Sequence, residues 1–344
     1  MMVEEHSKLS EVVDFRNIGR NKQHHQESIE ELSSRNDLRM YGYRTFPGLY
    51  FIPNYLSTQQ QYEWTKQSIQ SFSSAPYNNL SNLYSQQKRE CPVPSWTDAV
   101  ERGDFSAFRQ LTWSNVGIQY DWTERKYNLE RITAPIPRSM TDLCSECNEL
   151  LTDIQSESHG IDTFDDEQKE GDSDGLLRDE HGLAFSMEMV PQTAIINFFA
   201  VNTKRPMGGH RDAAELINAP LISVSLGNDA IFLISDHDQK EPLALWIRSG
   251  DVLIMAGKAR FALHCVARVV PNTCCPLLLS HFDGEIDRTE DQNEQRELSL
   301  MKQYIMESRI NFNIRQVIEV DKLPSSQPQD SEPKTTVFHE VHSF

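Results

Sequence analysis

The chain has 344 residues, with 51 acidic and 33 basic side chains and a formal net charge of −18 at pH 7. This length suits one barrel or sandwich with appendages, and the charge excludes a uniformly basic surface for binding phosphates. Residues 153–180 alone carry a charge of −9. A nucleic-acid partner for the rest of the chain therefore remains open.

The six cysteines are not evenly spaced, which indicates a reduced intracellular protein and not a disulfide framework. The N-terminal sequence MMVEEHSKLSEVVDFRN lacks the apolar core of a signal peptide and the acid-free character of a transit peptide. No apolar run reaches membrane-spanning length. We expect a soluble protein of the nucleus, cytoplasm or mitochondrion with no membrane partner. Its oligomeric state is left open.

Residues 1–40 are polar and without a sustained period, which predicts a mostly flexible N-terminal arm with room for one short helix. Folding is expected to start at FPGLYFIPNYLS, where a short strand ends at Pro53 and Ser57 can cap a helix. The apolar positions of that helix fall on one stripe: Tyr62, Ile69 and Phe72. Residues 41–150 are predicted to form an α-rich lid.

The lid segment RQLTWSNVGIQYDWTERKY is rich in aromatic residues, namely Trp113, Tyr120, Trp122 and Tyr127. These rings either pack a lid onto a core or stack on nucleic-acid bases, and by itself the segment favours packing. The next segment, MTDLCSECNELLTDI, reads as a helix carrying Cys144 and Cys147. A zinc site needs two further ligands, so packing is again favoured.

The acidic residues 151–184 have few aliphatic side chains, which predicts a disordered insertion. Short apolar runs follow in residues 185–320, punctuated by Gly, Asp and Pro, and they predict antiparallel sheets in a sandwich or jelly roll. The runs are QTAIINFFAV, LISVSLGNDAIFLISD, PLALWIRSGDVLIMAG, RFALHCVARVV, PLLLSHF and RINFNIRQVI. Residues 321–344 read as a flexible tail.

A His-x-Asp pair, His210 and Asp212, lies just after two glycines. Residues two apart project to the same side of extended chain, so both can address one metal ion. His264, on a later strand, can complete the two-His, one-carboxylate set of non-haem Fe(II).

A second His-x-Asp pair, His281 and Asp283, shows how weak the tripeptide is alone. Its only downstream histidines are His339 and His342, in the predicted tail, so the first pair is preferred.

The run RINFNIRQV alternates polar and apolar residues, so one face of this strand is wholly polar. That face carries Arg309, Asn311, Asn313 and Arg315. It is either open to solvent or lines a cleft where guanidinium groups hold carboxylates. The same alternation puts Asn197 and Phe199 on one face of an earlier strand.

The ordered set Asn197-x-Phe199, His210-x-Asp212, His264 and Arg309-x-Asn311-x-x-x-Arg315 resembles the AlkB family of Fe(II)/2-oxoglutarate dioxygenases. The flanking sequence is most like the eukaryotic AlkB homologue 1 branch. The resemblance covers residues 45 to 320 apart from the acidic insertion. It implies an α+β, mainly β fold, in which a double-stranded β-helix (jelly roll) at residues 185–320 follows an N-terminal α-rich lid that recognises nucleotides.

The resemblance also implies roles for the residues singled out above. The expected Fe(II) ligands are His210, Asp212 and His264. The expected 2-oxoglutarate site has Arg309 at the distal carboxylate, Phe199 beside it, and Asn197, Asn311 and Arg315 in support. The residues expected near the substrate are Tyr120, Trp122 and Tyr127. With O2, such an enzyme hydroxylates a methyl group on a base of tRNA or DNA, which is then lost as formaldehyde.

Two departures from the family pattern bear on activity. Phe199 stands where tyrosine is common, and the loss of one hydroxyl weakens cosubstrate binding by about 0.5 to 1.5 kcal/mol. Cys265 to Arg268 follow His264 where a proline is expected. An active enzyme is still predicted. The alternatives are an oxygenase acting on a protein such as histone, and a catalytically weak interaction module.

Overall fold

The computed structural model describes residues 11–35, 37–74, 77, 95–106, 108–132, 134–157, 184–201, 208–235 and 241–323. Six α-helices lie within these ranges: α1 Gln23–Ser28, α2 Thr58–Gln67, α3 Trp96–Arg102, α4 Arg138–Glu157, α5 Pro276–Arg288 and α6 Gln292–Met306. The first strands are β1 Ile29–Arg35, β2 Leu38–Tyr43, β3 Leu49–Ile52, β4 Trp113–Asp121, β5 Lys126–Ile132, β6 Ala184–Phe185 and β7 Thr193–Ala200. The others are β8 Ile217–Asn218, β9 Leu221–Gly227, β10 Ala230–Ser235, β11 Leu243–Ile247, β12 Val252–Met255, β13 Leu263–Val269 and β14 Ser308–Arg315.

Two antiparallel sheets form the core. The large sheet has nine strands in the order β1-β2-β3-β12-β9-β14-β7-β4-β5, and the small sheet has three in the order β11-β10-β13. Alternate side chains of β3 pack on opposite faces of the large sheet, as a period of two requires. Tyr50 and Ile52 join the helices, and Leu49 and Phe51 meet Phe232 of the small sheet. The result is the expected jelly roll.

The inner face of the large sheet changes from apolar to polar at β9. On β3 and β12 it is packed with Phe51, Leu253 and similar residues, whereas on β9 and β14 it carries Ser223, Ser225 and the polar side chains of β14. The sheet therefore leaves a polar region between its central strands and the small sheet.

Residues 11–35 and 37–40, predicted to be mostly flexible, are instead part of the folded structure. Val13 and Phe15 are buried between the two sheets, and Phe15 stacks on Phe51 with ring centroids 4.6 Å apart. The next residues form α1, β1 and the start of β2. The sequence showed no period here because β1 is an edge strand with no fully buried residue, and an edge strand does not need alternation on a core face.

The described residues of the segment 41–150 do not form a separate lid, because they supply β3, β4, β5 and half of β2 to the large sheet. Its helices pack on the outer face of that sheet, as the edge-on contact of Trp64 with Phe312 illustrates. The Ser57 cap is confirmed as a capping box with Gln60. The predicted stripe is confirmed as well, since all three of its residues are buried: Tyr62, Ile69 and Phe72.

One predicted strand is a helix. PLLLSHF begins α5, with Pro276 in its first turn, where the missing N–H of proline costs nothing. Helix α4 carries Cys144 and Cys147 as predicted, and both are buried in the core. Most of the acidic insertion, residues 158–183, and the tail from 324 on lie outside the described residues. No helix in the described part of the chain is long and apolar enough to cross a membrane.

Candidate active site

Backbone pairing brings the three predicted metal ligands together. His210 forms an isolated bridge with His264, and their N–H and C=O groups exchange hydrogen bonds of 3.0 and 3.1 Å. Asp212 Oδ1 lies 3.9 Å from His210 Nε2, and Asp212 Oδ2 lies 3.7 Å from His264 Nε2. One ligand atom of each residue lies within 4.8 Å of the others. The three side chains therefore converge on one point.

Both imidazole rings are oriented by backbone carbonyls. Nδ1 of His210 is 3.0 Å from the carbonyl oxygen of Gly208, and Nδ1 of His264 is 3.0 Å from that of Ala262. A carbonyl can only accept, so each Nδ1 carries a proton, and in the neutral form of each ring Nε2 keeps its lone pair toward Asp212. This is the tautomer in which histidine binds a metal ion.

Electrostatics favour the ligating protonation states. Burial by itself would raise the pKa of Asp212, but the positive charges of Arg315 and Arg260 outweigh it and hold the pKa well below its usual range. Burial lowers the pKa of His264, and Asp212 only partly opposes this. The carboxylate is therefore ionised and the imidazole neutral at pH 7, as metal coordination requires.

The rival pair does not form a comparable site. His281 and Asp283 lie on α5, and residues two apart on a helix do not share a face. Asp283 forms an ion pair with Lys302, and His281 lies 4.0 Å from Glu285. His339 and His342 lie outside the described residues.

The polar face of β14 is buried, which excludes the solvent-exposed alternative. Arg309 is 1% exposed and Arg315 4%. Strand β14 lies between β7 and β9, with Asn311 opposite Asn197 on β7 and opposite Ser225 on β9. Arg309 and Arg315 therefore belong to the inner face of the jelly roll, together with Asn197 and Asn311.

Arg309 is a buried cation without a carboxylate partner among the described residues. Nη1 donates to the carbonyl oxygen of Asn228 and Nη2 to Oγ of Ser225, at 3.1 and 2.6 Å. Its Nε is buried and has no hydrogen-bond partner. Burial lowers the pKa of Arg309 to about 10. A buried guanidinium that no carboxylate contacts directly is costly, so this position is suited to an anion.

The three candidate metal ligands His210, Asp212 and His264 are called the triad below. Arg315 differs from Arg309 because it contacts a member of this triad. Its Nη2 donates to Asp212 Oδ2 at 2.6 Å, and its Nε lies 3.4 Å from Glu215 Oε1. Burial lowers the pKa of Arg315, but Asp212 and then Tyr127 and Glu215 raise it above its ordinary value. Arg315 is therefore held as a cation next to the candidate metal position.

The three aromatic residues predicted near a substrate line one cavity with two of the three candidate metal ligands. The cavity measures about 450 Å³, and its walls include His210, Asp212, Tyr120, Trp122 and Tyr127. Tyr120 contacts Trp122 and Tyr127 edge-on, at centroid distances of 4.8 and 5.0 Å. Trp122 is 48% exposed. The rings therefore form a wall that leads from solvent to the triad.

Sequence reasoning missed two buried residues of this site. Glu215 and Arg260 are 4% and 1% exposed, and Arg260 Nη2 lies 2.8 Å from Glu215 Oε2. Arg260 Nη1 also donates to the backbone carbonyl of Asp212 at 2.9 Å. The only sequence signal was position: Glu215 follows Asp212 by three residues, and Arg260 precedes His264 by four.

Comparison with known proteins is consistent with this geometry. The family model described as "2OG-Fe(II) oxygenase superfamily" matches residues 48–315. The chain is 28% identical over 301 residues to "DNA N(6)-methyladenine demethylase ALKBH1A" of Arabidopsis thaliana, a match that covers 79% of this chain and 75% of that protein. It is 26% identical to "Nucleic acid dioxygenase ALKBH1" of Homo sapiens, covering 86% and 70%.

A further relative is "tRNA demethylase abh1" of Schizosaccharomyces pombe, 26% identical over 81% of this chain and 82% of that protein. Among solved structures, one described as "The structure of OsALKBH1" aligns with a TM-score of 0.47 and 19% identity, covering 78% of this chain and 97% of that one.

Proposed function

The chain belongs to the 2OG-Fe(II) oxygenase superfamily, and we propose that it oxidatively demethylates N-methylated bases of tRNA or DNA. The observation that carries the choice of substrate is the aromatic wall of the cavity, which ends at His210 and Asp212. Three relatives named above act, by their names, on DNA, tRNA or nucleic acid. Aromatic rings suit a base because they stack on its faces.

We assign Fe(II) to His210, Asp212 and His264. The donor set fits this ion, since two neutral imidazoles and one carboxylate with open positions are typical of non-haem Fe(II) oxygenases. Bound there, iron and 2-oxoglutarate together activate O2 for hydroxylation of a methyl group. The protein contributes the Nδ1 hydrogen bonds to Gly208 and Ala262, which fix both rings before a metal binds.

The cosubstrate is assigned to the inner face of β14. The unpartnered Nε of Arg309 fits the distal carboxylate of 2-oxoglutarate, because a charge-assisted hydrogen bond satisfies both groups. Asn197 and Asn311 lie between Arg309 and the triad on the paired strands β7 and β14. Arg315 adds positive charge at the end nearest Asp212. Phe199 contacts the apolar core between the sheets and offers no hydroxyl.

The base is assigned to the space between the aromatic wall and the triad. Trp122 and Tyr120 offer ring surface at the entrance, while Tyr127 is held by the hydrogen bond of its hydroxyl to Glu215 Oε1 at 3.0 Å. Burial raises the pKa of Tyr127, so the hydroxyl stays protonated. The side chains that meet the base are therefore neutral, whereas Arg125 and Arg211 line the same cavity and suit a phosphate backbone.

Mass spectrometry of nucleosides tests the proposal directly. The full chain is incubated with Fe(II), 2-oxoglutarate and a mixed pool of methylated tRNA and DNA, and each modified nucleoside is measured before and after. We expect loss of one or more N-methyl nucleosides with matching succinate, and neither with His210→Ala. Succinate that forms only with a histone peptide, or that persists in His210→Ala, would contradict the proposal.

A further inference from the structure

Asp212 belongs to a group of four charged side chains whose charges cancel, and the other three are buried. Asp212 and Glu215 carry the negative charges, and Arg260 and Arg315 the positive ones. The shortest distances within the group are 2.6 Å from Arg315 to Asp212 and 2.8 Å from Arg260 to Glu215. The side chains of Glu215, Arg260 and Arg315 are each at most 4% exposed. Isolated charges this deep would be strongly unfavourable, so each depends on its neighbours.

Glu215 is the member of the group that contacts both arginines without being a candidate ligand itself. Its Oε2 faces Arg260, and its Oε1 lies 3.4 Å from Arg315 Nε. Each arginine in turn contacts a different part of Asp212: Arg315 its carboxylate and Arg260 its backbone carbonyl. Glu215 therefore forms ion pairs with Arg260 and Arg315, the two arginines that contact Asp212.

Glu215 also reaches the substrate wall. Tyr127 donates its hydroxyl hydrogen to Glu215 Oε1, and the Tyr127 ring packs edge-on against Tyr120. The backbone next to Glu215 is fixed, because the N–H of Leu216 donates to the carbonyl of Val317 at 2.7 Å. The side chain is therefore a rigid junction between β5, the end of β14 and the triad.

We propose that Glu215 is a positioning residue that balances the charge of Arg260 and Arg315, so that Asp212 remains free to bind a metal ion. Without the negative charge of Glu215, Asp212 would be the only carboxylate in this group of side chains, and the excess positive charge of the two guanidinium groups would oppose the binding of a metal cation. The inference rests on the proposed function only in taking Asp212 as a metal ligand.

Calorimetry with Mn(II) tests this without turnover. The Kd for Mn(II) is expected to rise about tenfold in Glu215→Gln, which has the same shape without the charge. Tyr127→Phe removes no charge and only the two hydrogen bonds of its hydroxyl, with Glu215 and Arg315, so its Kd should stay within twofold of wild type. The double variant Arg260→Gln/Glu215→Gln restores neutrality and should recover most of the loss.

A second comparison separates charge from loosened packing. Arg260→Gln alone removes a cation, and we expect it to bind Mn(II) at least as tightly as wild type, while a packing defect would weaken binding in every variant. Thermal unfolding checks that each variant is folded. If Glu215→Gln does not fold, the Kd of Arg260→Gln for Mn(II) still tests the inference. Equal Kd values for wild type and Glu215→Gln would overturn the inference. Absence of saturable Mn(II) binding to wild type would instead overturn the assigned metal site.

Discussion

Phe199 on β7 lies directly opposite Arg309 on β14 in the antiparallel register of the large sheet. Residues opposite each other share a face and have Cβ atoms about 4.5 to 5.5 Å apart. Phe199, which stands where the family commonly has tyrosine, therefore lies beside Arg309. We assign the guanidinium of Arg309 to the distal carboxylate of 2-oxoglutarate.

Phe199→Tyr is expected to tighten 2-oxoglutarate binding to the Mn(II)-loaded protein. One added hydrogen bond contributes about 0.5 to 1.5 kcal/mol, which corresponds to a gain of up to about tenfold in Kd. Calorimetric titration of both Mn(II)-loaded proteins with 2-oxoglutarate measures the two Kd values. Identical binding curves for the two proteins would mean that the added hydroxyl does not reach the cosubstrate.

Arg309→Gln should weaken 2-oxoglutarate binding by about 10- to 150-fold, since a hydrogen bond to a charged group contributes about 1.5 to 3 kcal/mol. Mn(II) binding should not change, because Arg309 has no contact with the triad among the described residues. Arg268→Gln, an exposed position on β13, is the matched control. An unchanged 2-oxoglutarate Kd in Arg309→Gln would refute the assignment of the distal carboxylate.

Trp122→Ala tests the aromatic wall. Base stacking on an aromatic side chain contributes about 1 to 3 kcal/mol, so the KM for a methylated oligonucleotide should rise about 5- to 150-fold. Because Trp122 is 48% exposed, the Tm should change little. Trp246→Ala on β11 is the control, since Trp246 contacts Arg248 and does not line the cavity. A KM that rises equally in both variants would argue against stacking at Trp122.

Asp229→Asn should change how stability depends on pH. Burial raises the pKa of Asp229 to about 6, although Arg248, Arg16 and Arg309 lower it and Asp251 raises it further. A carboxyl whose pKa is higher in the folded state stabilises the fold below its unfolded pKa of 3.8, and this contribution is lost as the pH rises through 6.

The asparagine variant has no such charge to bury. Relative to wild type, its free energy of unfolding should therefore rise between pH 5 and pH 7.5, by about 1 kcal/mol after allowance for partial exposure. Urea unfolding at several pH values measures the difference. A difference that stays constant with pH would mean that Asp229 titrates as it does in the unfolded chain.

Phe15→Ala tests whether the N-terminal segment is part of the core. Phe15 is 3% exposed and stacked on Phe51, so truncation should lower the free energy of unfolding by about 3 to 5 kcal/mol. Leu277→Ala, at a residue that is 66% exposed on α5, is expected to cost little. If the two variants lowered the free energy of unfolding equally, the N-terminal segment would not be part of the core, as the sequence had predicted.

Local patterns in the sequence predicted the parts of the fold that depend on local physics. The Ser57 cap needs only Gln60 three residues later, and the polar face of β14 follows from alternation along a single strand. The order of His210, Asp212, Arg309 and the other motif residues pointed to the family, and the structure brings those residues together. Their roles stay predictions until the experiments above are done.

Other features depended on partners far away in the chain. PLLLSHF was expected to be a strand, because a short apolar run does not distinguish a buried strand from a helix; the choice of α5 goes with the packing of Tyr62 against Phe282. Phe15 is buried only because two sheets enclose it.

The sequence by itself determined the chemistry available to this protein: the types of ligand, their order, and the alternation that puts arginines on one face of β14. Only the tertiary structure decided which charges meet. Glu215 and Arg260 are 45 residues apart, and neither has a local reason to be buried. The fold buries both side chains in the same place. Because neither is solvated there, each needs the opposite charge of the other.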